Sequence, residues 1–123
     1  MAKTFLIVDD EAKIADILGE FIEDFYGEDS RIVKAFNGKE ALTSIDKEDH
    51  IDLIFLDIIM PELNGIKFIE KLRNEKGIST PVLVVSASVE EAKEKTSKFS
   101  KVGYLSKPIF KEDFDEAINK LLS

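Results

Sequence analysis

The sequence predicts an α/β domain built on a five-stranded parallel sheet that is covered by helices on both faces. Short apolar runs alternate with segments of helical periodicity five times along the 123 residues, which is the pattern of repeated βα units. The apolar runs are nearly continuous and rich in Val, Ile, Leu and Phe, as is typical of strands buried on both faces. We therefore expect residues 1–123 to form a single domain with right-handed crossovers between the strands.

The first two βα units occupy the N-terminal part of the chain. Thr4–Val8 is predicted as the first strand, and residues 11–26 as a helix because apolar side chains recur there at helical spacing. Residues 31–36 are predicted as the second strand, and their alternating polar positions indicate the edge of the sheet. The Asn37-Gly38 turn then leads into a short helix over residues 39–46.

The third and fourth strands are the most apolar segments of the middle of the chain. Residues 51–56 are predicted as the third strand, and the loop that follows contains Pro61 and Asn64-Gly65. Residues 66–74 show helical spacing of their apolar side chains and are predicted as a helix. The fourth strand is predicted over residues 82–85.

The last part of the chain completes the fourth unit and adds the fifth. Residues 89–98 are predicted as a helix with few apolar side chains, residues 102–105 as a short strand, and Lys111–Leu122 as a helix with one apolar face. Few buried apolar contacts imply low local stability, so we expect the helix over residues 89–98 to be mobile.

Four of the predicted strands lead directly into polar residues that suit a binding site. Asp9 and Asp10 follow the first strand, Asp57 the third, Ser86 the fourth and Lys107 the fifth. Parallel strands end at one edge of a sheet, and open sheets bind ligands there, at the point where the strand order reverses. The flavodoxin-like order 2-1-3-4-5 would make the first and third strands neighbours, so we expect the three aspartates to lie together.

The chemistry of these residues predicts an anion site that includes a metal ion. Clustered carboxylates repel one another, and a divalent cation such as Mg²⁺, which prefers oxygen ligands, relieves that repulsion. Asp57 is the candidate reacting group because a carboxylate can attack a phosphoryl group and form an acyl phosphate. Lys107 would place a positive charge on a phosphoryl oxygen, and Ser86 would donate a hydrogen bond to another.

The composition argues against several other classes of protein. The net charge of −8 disfavours nucleic-acid binding, which needs a basic surface. No apolar run approaches the ~20 residues that cross a bilayer, and the chain has no cysteine for disulfides or thiolate metal sites. We therefore expect a cytoplasmic domain that contacts neither nucleic acid nor membrane.

The motifs at the strand ends resemble one family closely. They are Asp9-Asp10-Glu11, Asp57-Ile58-Ile59-Met60-Pro61 with Gly65 beyond it, Ser86-Ala87, and Tyr104-Leu105-Ser106-Lys107-Pro108. Over residues 3–122 the chain resembles the receiver domains of bacterial two-component signalling, the family of the chemotaxis response regulator. Three features depart from the common family pattern: Ser86, where threonine is more frequent; Ser100-Lys101, where a Gly-Ala pair is usual; and the fourth helix, which has few apolar side chains.

The resemblance implies a phosphoacceptor and a set of Mg²⁺ ligands. Asp57 would accept a phosphoryl group from a phosphohistidine on a sensor histidine kinase or a histidine phosphotransfer protein. Asp10 and Asp57 would bind Mg²⁺ directly, Asp9 would act through water, and the backbone carbonyl of Ile59 would be a third protein ligand.

The resemblance also implies a conformational switch. Lys107 and Ser86 would contact the phosphoryl group, and the movement of Ser86 would let Tyr104 rotate inward. The face made by the fourth helix, fifth strand and fifth helix would then change its affinity for an unknown output protein. The domain would be a monomer or a phosphorylation-dependent dimer, with no output domain of its own and no catalytic turnover beyond phosphoryl acceptance and slow autodephosphorylation.

Three alternatives remain open at this point. A magnesium-dependent phosphohydrolase with an aspartyl nucleophile resembles the haloacid dehalogenases, but these need a second aspartate where this chain has Ile59. A docking domain that acts without phosphorylation is a second alternative, although such domains lose the acids or the lysine that are present here. The chain is also compatible with a receiver fragment of a larger multidomain regulator.

Overall fold

The computed structural model describes residues 3–58 and 64–123, and its strands form one parallel sheet. The strands are β1 (Thr4–Val8), β2 (Arg31–Ala35), β3 (Leu53–Asp57), β4 (Val82–Ser86) and β5 (Val102–Ser106). Within the described residues their order is β2-β1-β3-β4-β5, and every neighbouring pair is parallel. The predicted flavodoxin-like order is confirmed, and β2 lies at an edge as its alternating polar positions indicated.

The register of the sheet places the ends of β1, β3 and β4 close together, each one residue beyond the end of the strand before it. Val8, the last residue of β1, pairs with Leu56 of β3. Asp57 ends β3 and pairs with Val85, so that Ser86 ends β4 one residue further along. From β1 the chain continues to β2 on one side of the sheet, and from β3 to β4 on the other. The residues that end β1 and β3 therefore lie at the point where the strand order reverses.

The helices alternate with the strands as expected. They are α1 (Ala12–Tyr26), α2 (Gly38–Lys47), α3 (Gly65–Glu70), α4 (Val89–Thr96) and α5 (Lys111–Leu122). Apart from the C-terminal end of α3, their bounds lie within two residues of the predicted ones. Among the helices of residues 3–58 and 64–123, none is long and apolar enough to cross a membrane.

A π-helical turn over Lys71–Glu75 continues α3 where the sequence predicted ordinary helix to residue 74. Arg73, within this turn, donates to the carbonyl oxygen of Ile78 at 2.9 Å and to that of Ser100 at 3.0 Å. These bonds tie the turn to the segments that precede β4 and β5. Contacts of this kind join distant segments, and helical periodicity does not report them.

Two hydrophobic layers enclose the sheet, one on each face. Successive strand side chains point to opposite faces, so Leu6 and Val8 belong to one layer while Phe5 and Ile7 belong to the other. In the first layer, α2, α3 with its π-helical turn, and α4 contribute Ile45, Phe68, Leu72 and Ala92. In the second layer, α1 and α5 contribute Leu18, Ile22, Phe114 and Ile118. Each large apolar side chain that is fully buried stabilises the fold by about 1.5–3 kcal/mol. The two layers therefore stabilise the sheet that carries the strand ends.

Candidate functional site

Three carboxylates meet at the carboxyl edge of β1 and β3. Asp9 and Asp10 follow β1, and Asp57 is the last residue of β3. One carboxylate oxygen from each lies within 4.8 Å of the others. Asp9 and Asp57 are buried, whereas Asp10 is exposed. The pairing of β1 with β3 thus brings together the three acids that the sequence singled out.

Lys107 reaches this cluster from the loop after β5. Its Nζ lies 3.4 Å from Oδ2 of Asp9, 3.6 Å from Oδ2 of Asp57 and 3.7 Å from Oε1 of Glu11. The Lys107 amide donates to the carbonyl oxygen of Ser86 at 2.9 Å, which extends the pairing of β4 and β5 past their last residues. The peptide bond to the following proline is cis. The backbone therefore holds the lysine at the sheet edge, and its ammonium ends among the carboxylates.

The charges and burial of the cluster shift two pKa values. Burial is the main influence on Asp9 and raises the pKa of its carboxyl, while a 2.8 Å hydrogen bond from the Glu11 amide and the charge of Lys107 oppose the rise. Burial lowers the pKa of Lys107, but the carboxylates of Asp57, Asp9 and Glu11 together outweigh it, so the pKa lies above its ordinary value. Lys107 is therefore an ammonium at neutral pH, and the ionised form of Asp9 is disfavoured by its surroundings.

The carboxylate oxygens of this cluster are suitable ligands for a divalent cation. Oδ1 of Asp9 accepts from the Glu11 amide, whereas its buried Oδ2 has only the ion-pair contact with Lys107 at 3.4 Å and no hydrogen bond within residues 3–58 and 64–123. Asp10 and Asp57 add further carboxylate oxygens, the ligand type that Mg²⁺ prefers. A cation would neutralise the excess negative charge and complete the contacts of the buried oxygen. The remaining predicted ligand, the backbone carbonyl of Ile59, lies outside the described residues.

Ser86 ends β4 beside the same cluster. A cavity of about 380 Å³ opens there, and its wall includes Asp57, Ser86 and Lys107 together with Lys95 of α4. Oγ of Ser86 donates to the carbonyl oxygen of Ser88 at 3.2 Å and accepts from the Ser88 amide at 3.1 Å. The hydroxyl that was predicted to contact an anion is thus bonded to the residue that precedes α4.

Gly65 lets the start of α3 approach the end of β3 closely. Its amide donates to the carbonyl oxygen of Ile58 at 2.8 Å. A Cβ atom at Gly65 would lie 2.7 Å from the carbonyl oxygen of Asp57 and 2.8 Å from Cα of Ile58. Asn64 caps the helix by accepting from the Lys67 amide at 2.9 Å. The backbone that carries Asp57 is therefore packed against a position where a side chain does not fit.

Tyr104, the predicted aromatic member of a switch, lies on β5 against α4. Its Oη lies 2.5 Å from Oγ1 of Thr96, and Nζ of Lys93 lies 5.6 Å from its ring centroid. Tyr104 also lines a second cavity of about 410 Å³ between α4 and α5. Thr96 was not predicted from the sequence. Its spacing of four residues from Ala92 places it on the same face of the helix. Because threonine is polar, however, a search for apolar periodicity does not select it.

Comparison with known proteins identifies the family of this chain. The model of the response regulator receiver domain matches residues 5–119. The chain belongs to this family. Receiver domains are signalling switches of two-component systems and bind Mg²⁺ in an acidic pocket, and the cluster of Asp9, Asp10 and Asp57 is consistent with such a pocket.

Three relatives illustrate the range of proteins that contain such a receiver domain. The transcriptional regulatory protein CiaR of Streptococcus pneumoniae is 34% identical over 119 residues, which are 95% of this chain and 50% of CiaR. The chemotaxis protein CheY of Halobacterium salinarum is 32% identical over 124 residues, which are 100% of this chain and 99% of CheY. The crystal structure of the response regulator TrrA from Thermotoga maritima, in complex with Mg²⁺-BeF, matches with a TM-score of 0.79 at 28% identity, over 97% of this chain and 98% of TrrA. The receiver domain spans about half the length of CiaR and of several other curated relatives.

Proposed function

We propose that this receiver domain is a phosphorylation-dependent switch whose phosphoacceptor is Asp57. The observation that carries the proposal is the 3.6 Å distance between Oδ2 of Asp57 and Nζ of Lys107, next to the oxygens of Asp9 and Asp10. On one side of this carboxylate, the Lys107 ammonium can bind an incoming phosphoryl group. On its other side lies the candidate metal site. The phosphodonor is a phosphohistidine on a sensor histidine kinase or a histidine phosphotransfer protein.

The acidic cluster would hold Mg²⁺. Asp10 and Asp57 would bind it directly, Asp9 through water, and the backbone carbonyl of Ile59 would complete the protein ligands. When bound, the ion supplies positive charge that offsets the charge of the carboxylates and the phosphoryl oxygens. The buried Oδ2 of Asp9 supports this assignment, as does the Mg²⁺-BeF complex of the related TrrA.

The residues around the cavity have separate tasks in phosphoryl transfer. A carboxylate oxygen of Asp57 forms a bond to phosphorus while the P–N bond of the phosphohistidine breaks and the imidazole leaves with the electron pair. Lys107 exchanges part of its contact with Asp9 and Asp57 for a phosphoryl oxygen. Ser86 leaves the backbone of Ser88 and donates its hydrogen bond to another phosphoryl oxygen.

The movement of Ser86 would carry the signal to the surface. Ser86 bonds to the residue before α4, and Tyr104 of β5 bonds to the last residue of α4, so both contact the helix that would respond. The face of α4, β5 and α5 would then bind an output protein or a second copy of the domain. The domain would work in the cytoplasm as a switch, with phosphoryl acceptance and slow phosphate loss as its only chemistry.

Intact-mass measurement after incubation with acetyl phosphate and Mg²⁺ tests the proposal. We expect the wild-type chain to gain one phosphoryl group and Asp57→Ala to gain none. Asp113→Ala removes an exposed acid in the first turn of α5 and should retain the gain. Steady phosphate release without an adduct would instead support an aspartyl phosphohydrolase. No reaction in any variant would support a docking domain that acts without phosphorylation.

A further inference from the structure

The last residue of α4, Thr96, joins that helix to Tyr104 through a buried hydroxyl. Thr96 is 0% exposed, and its Oγ1 donates to the carbonyl oxygen of Ala92 at 2.7 Å. The same Oγ1 lies 2.5 Å from Oη of Tyr104. A hydroxyl carries one proton, and Thr96 gives its proton to Ala92, so the tyrosine is the donor and the threonine the acceptor.

The opposite end of α4 is bonded to Ser86. Oγ of Ser86 contacts both the amide and the carbonyl of Ser88, the residue before the helix. Between these ends the buried residues of α4, all of which is described, are Ala92 and Thr96. This is a smaller buried face than that of α1, which includes Leu18 and Ile22. The polar contacts at the two ends of α4 therefore contribute much of what holds it on the sheet.

We propose that Thr96 is a positioning residue that holds Tyr104 against α4 in the unphosphorylated domain and so sets the balance between the two packings of the switch. The inference rests on the proposed function, in which Ser86 leaves Ser88 for the phosphoryl group. That movement releases one end of α4, and the bond between Thr96 and Tyr104 resists rearrangement at the other. Loss of this bond should favour the switched packing by about fivefold, the size typical of one neutral hydrogen bond.

Three substitutions separate this role from a structural one. Thr96→Val keeps the shape of the side chain and removes the hydroxyl, whereas Thr96→Ser keeps the hydroxyl. Ser97→Ala is the matched control, because it removes the neighbouring hydroxyl, which is exposed. We expect Thr96→Val to be phosphorylated by acetyl phosphate about fivefold faster than the wild type, since more of the population is already switched. Thr96→Ser and Ser97→Ala should react at the wild-type rate.

The effect of Thr96→Val should depend on its partner. In a Tyr104→Phe background the hydroxyl that Thr96 accepts from is already gone, so Thr96→Val should cause no further change in the phosphorylation rate. An equal effect of Thr96→Val with and without the tyrosine hydroxyl would overturn the inference.

A measurement without phosphorylation keeps this test separate from that of the proposed function. The chain contains two tyrosines, Tyr26 and Tyr104, so 3-fluorotyrosine gives two ¹⁹F signals, which Tyr26→Phe assigns. In the unphosphorylated domain we expect Thr96→Val to shift the Tyr104 signal and to speed amide exchange over Val89–Thr96. Thr96→Ser should do neither.

The two proposals fail in different ways. If the wild-type chain is never phosphorylated but Thr96→Val shifts the Tyr104 signal, the proposed function is wrong and the hold of Thr96 on Tyr104 is supported. If Thr96→Val leaves the ¹⁹F signals, amide exchange and phosphorylation rate unchanged, the inference is wrong. Should Thr96→Val fail to fold, Tyr104→Phe deletes the other half of the bond, and wild-type exchange and rates in that variant would also overturn the inference.

Discussion

Nζ of Lys107 lies 3.6 Å from Oδ2 of Asp57, so a side chain from beyond the edge strand β5 reaches the end of the central strand β3. β4 lies between these two strands, and the Lys107 amide bonds to the carbonyl of Ser86 at its end. One residue thereby connects the ends of three strands. We expect its loss to affect both the chemistry of the site and the stability of the fold.

Lys107→Ala should slow phosphorylation by acetyl phosphate roughly 10²-fold, because it removes a preorganised charge from the site. It should also lower the free energy of unfolding by about 1–3 kcal/mol, since the ammonium no longer offsets the negative charge of the buried carboxylates. Phosphorylation kinetics and urea denaturation measure the two effects. Lys120→Ala removes an exposed lysine of α5 outside the acidic cluster and is the control. A wild-type rate in Lys107→Ala would contradict the role assigned to this lysine.

Asp9 should make the metal-free domain less stable as the pH rises. Burial raises the pKa of Asp9 in the folded state, so between the unfolded and folded pKa values the folded chain binds more protons than the unfolded chain. Stability therefore falls as the pH rises through that window. Asp9→Asn should abolish this decline and be more stable than the wild type at neutral pH when a chelator is present.

Magnesium should make the wild type more stable than Asp9→Asn, which is the reverse of their order in chelator. Saturating Mg²⁺ stabilises whichever chain binds it more tightly, and the wild type retains the carboxylate of Asp9. Urea denaturation across the acidic to neutral range, with chelator and with Mg²⁺, measures both effects. The same pH profile for Asp9→Asn and the wild type would show that Asp9 does not carry this dependence.

Gly65→Ala should destabilise the domain by about 1–3 kcal/mol, because the added Cβ meets backbone atoms that cannot move aside. We also expect slower phosphorylation, since one of these atoms is the carbonyl oxygen of Asp57. Gly19→Ala is a matched control of opposite sign. Its Cβ would meet Cδ1 of Ile32 at 3.6 Å, an ordinary contact, and alanine in a helix interior stabilises by up to about 1 kcal/mol. Thermal or urea unfolding of the two variants would contradict this account if both shifts had the same sign.

Lys101→Gly should stabilise the domain by about 0.5 kcal/mol. Lys101 has φ of 54°, in the left-handed region, which costs about 1 kcal/mol for a residue with a Cβ. Glycine removes this strain, although part of the gain is offset by its greater freedom in the unfolded chain. Lys95→Gly, within α4, should instead destabilise by about 1 kcal/mol. Urea denaturation measures both, and a loss of stability in Lys101→Gly would refute the strain argument.

The strands were predicted better than the ends of the helices. Continuous apolar runs such as those of β3 and β4 suit a strand buried on both faces, and both strands are fully buried. α3 was expected to reach residue 74, but it gives way to the turn over Lys71–Glu75, where Arg73 bonds to distant carbonyls. α4 ends at Thr96, two residues before the predicted end. At the end of α3 the difference occurs where contacts between distant segments outweigh local periodicity.

The amino-acid pattern was enough to predict which chemical groups lie at the strand ends, because alternating strands and helices direct Asp9, Asp57 and Lys107 to one edge of a parallel sheet. The packing of strands and helices was needed to show that the lysine reaches three carboxylates and that Thr96 is hydrogen-bonded to Tyr104. The apolar pattern records which face of an element is buried. The distance between polar groups on separate elements depends instead on sheet register and helix packing. A buried polar residue does not appear in the apolar pattern. Its hydrogen-bond partner can therefore be identified only from the packing of the helix on the sheet.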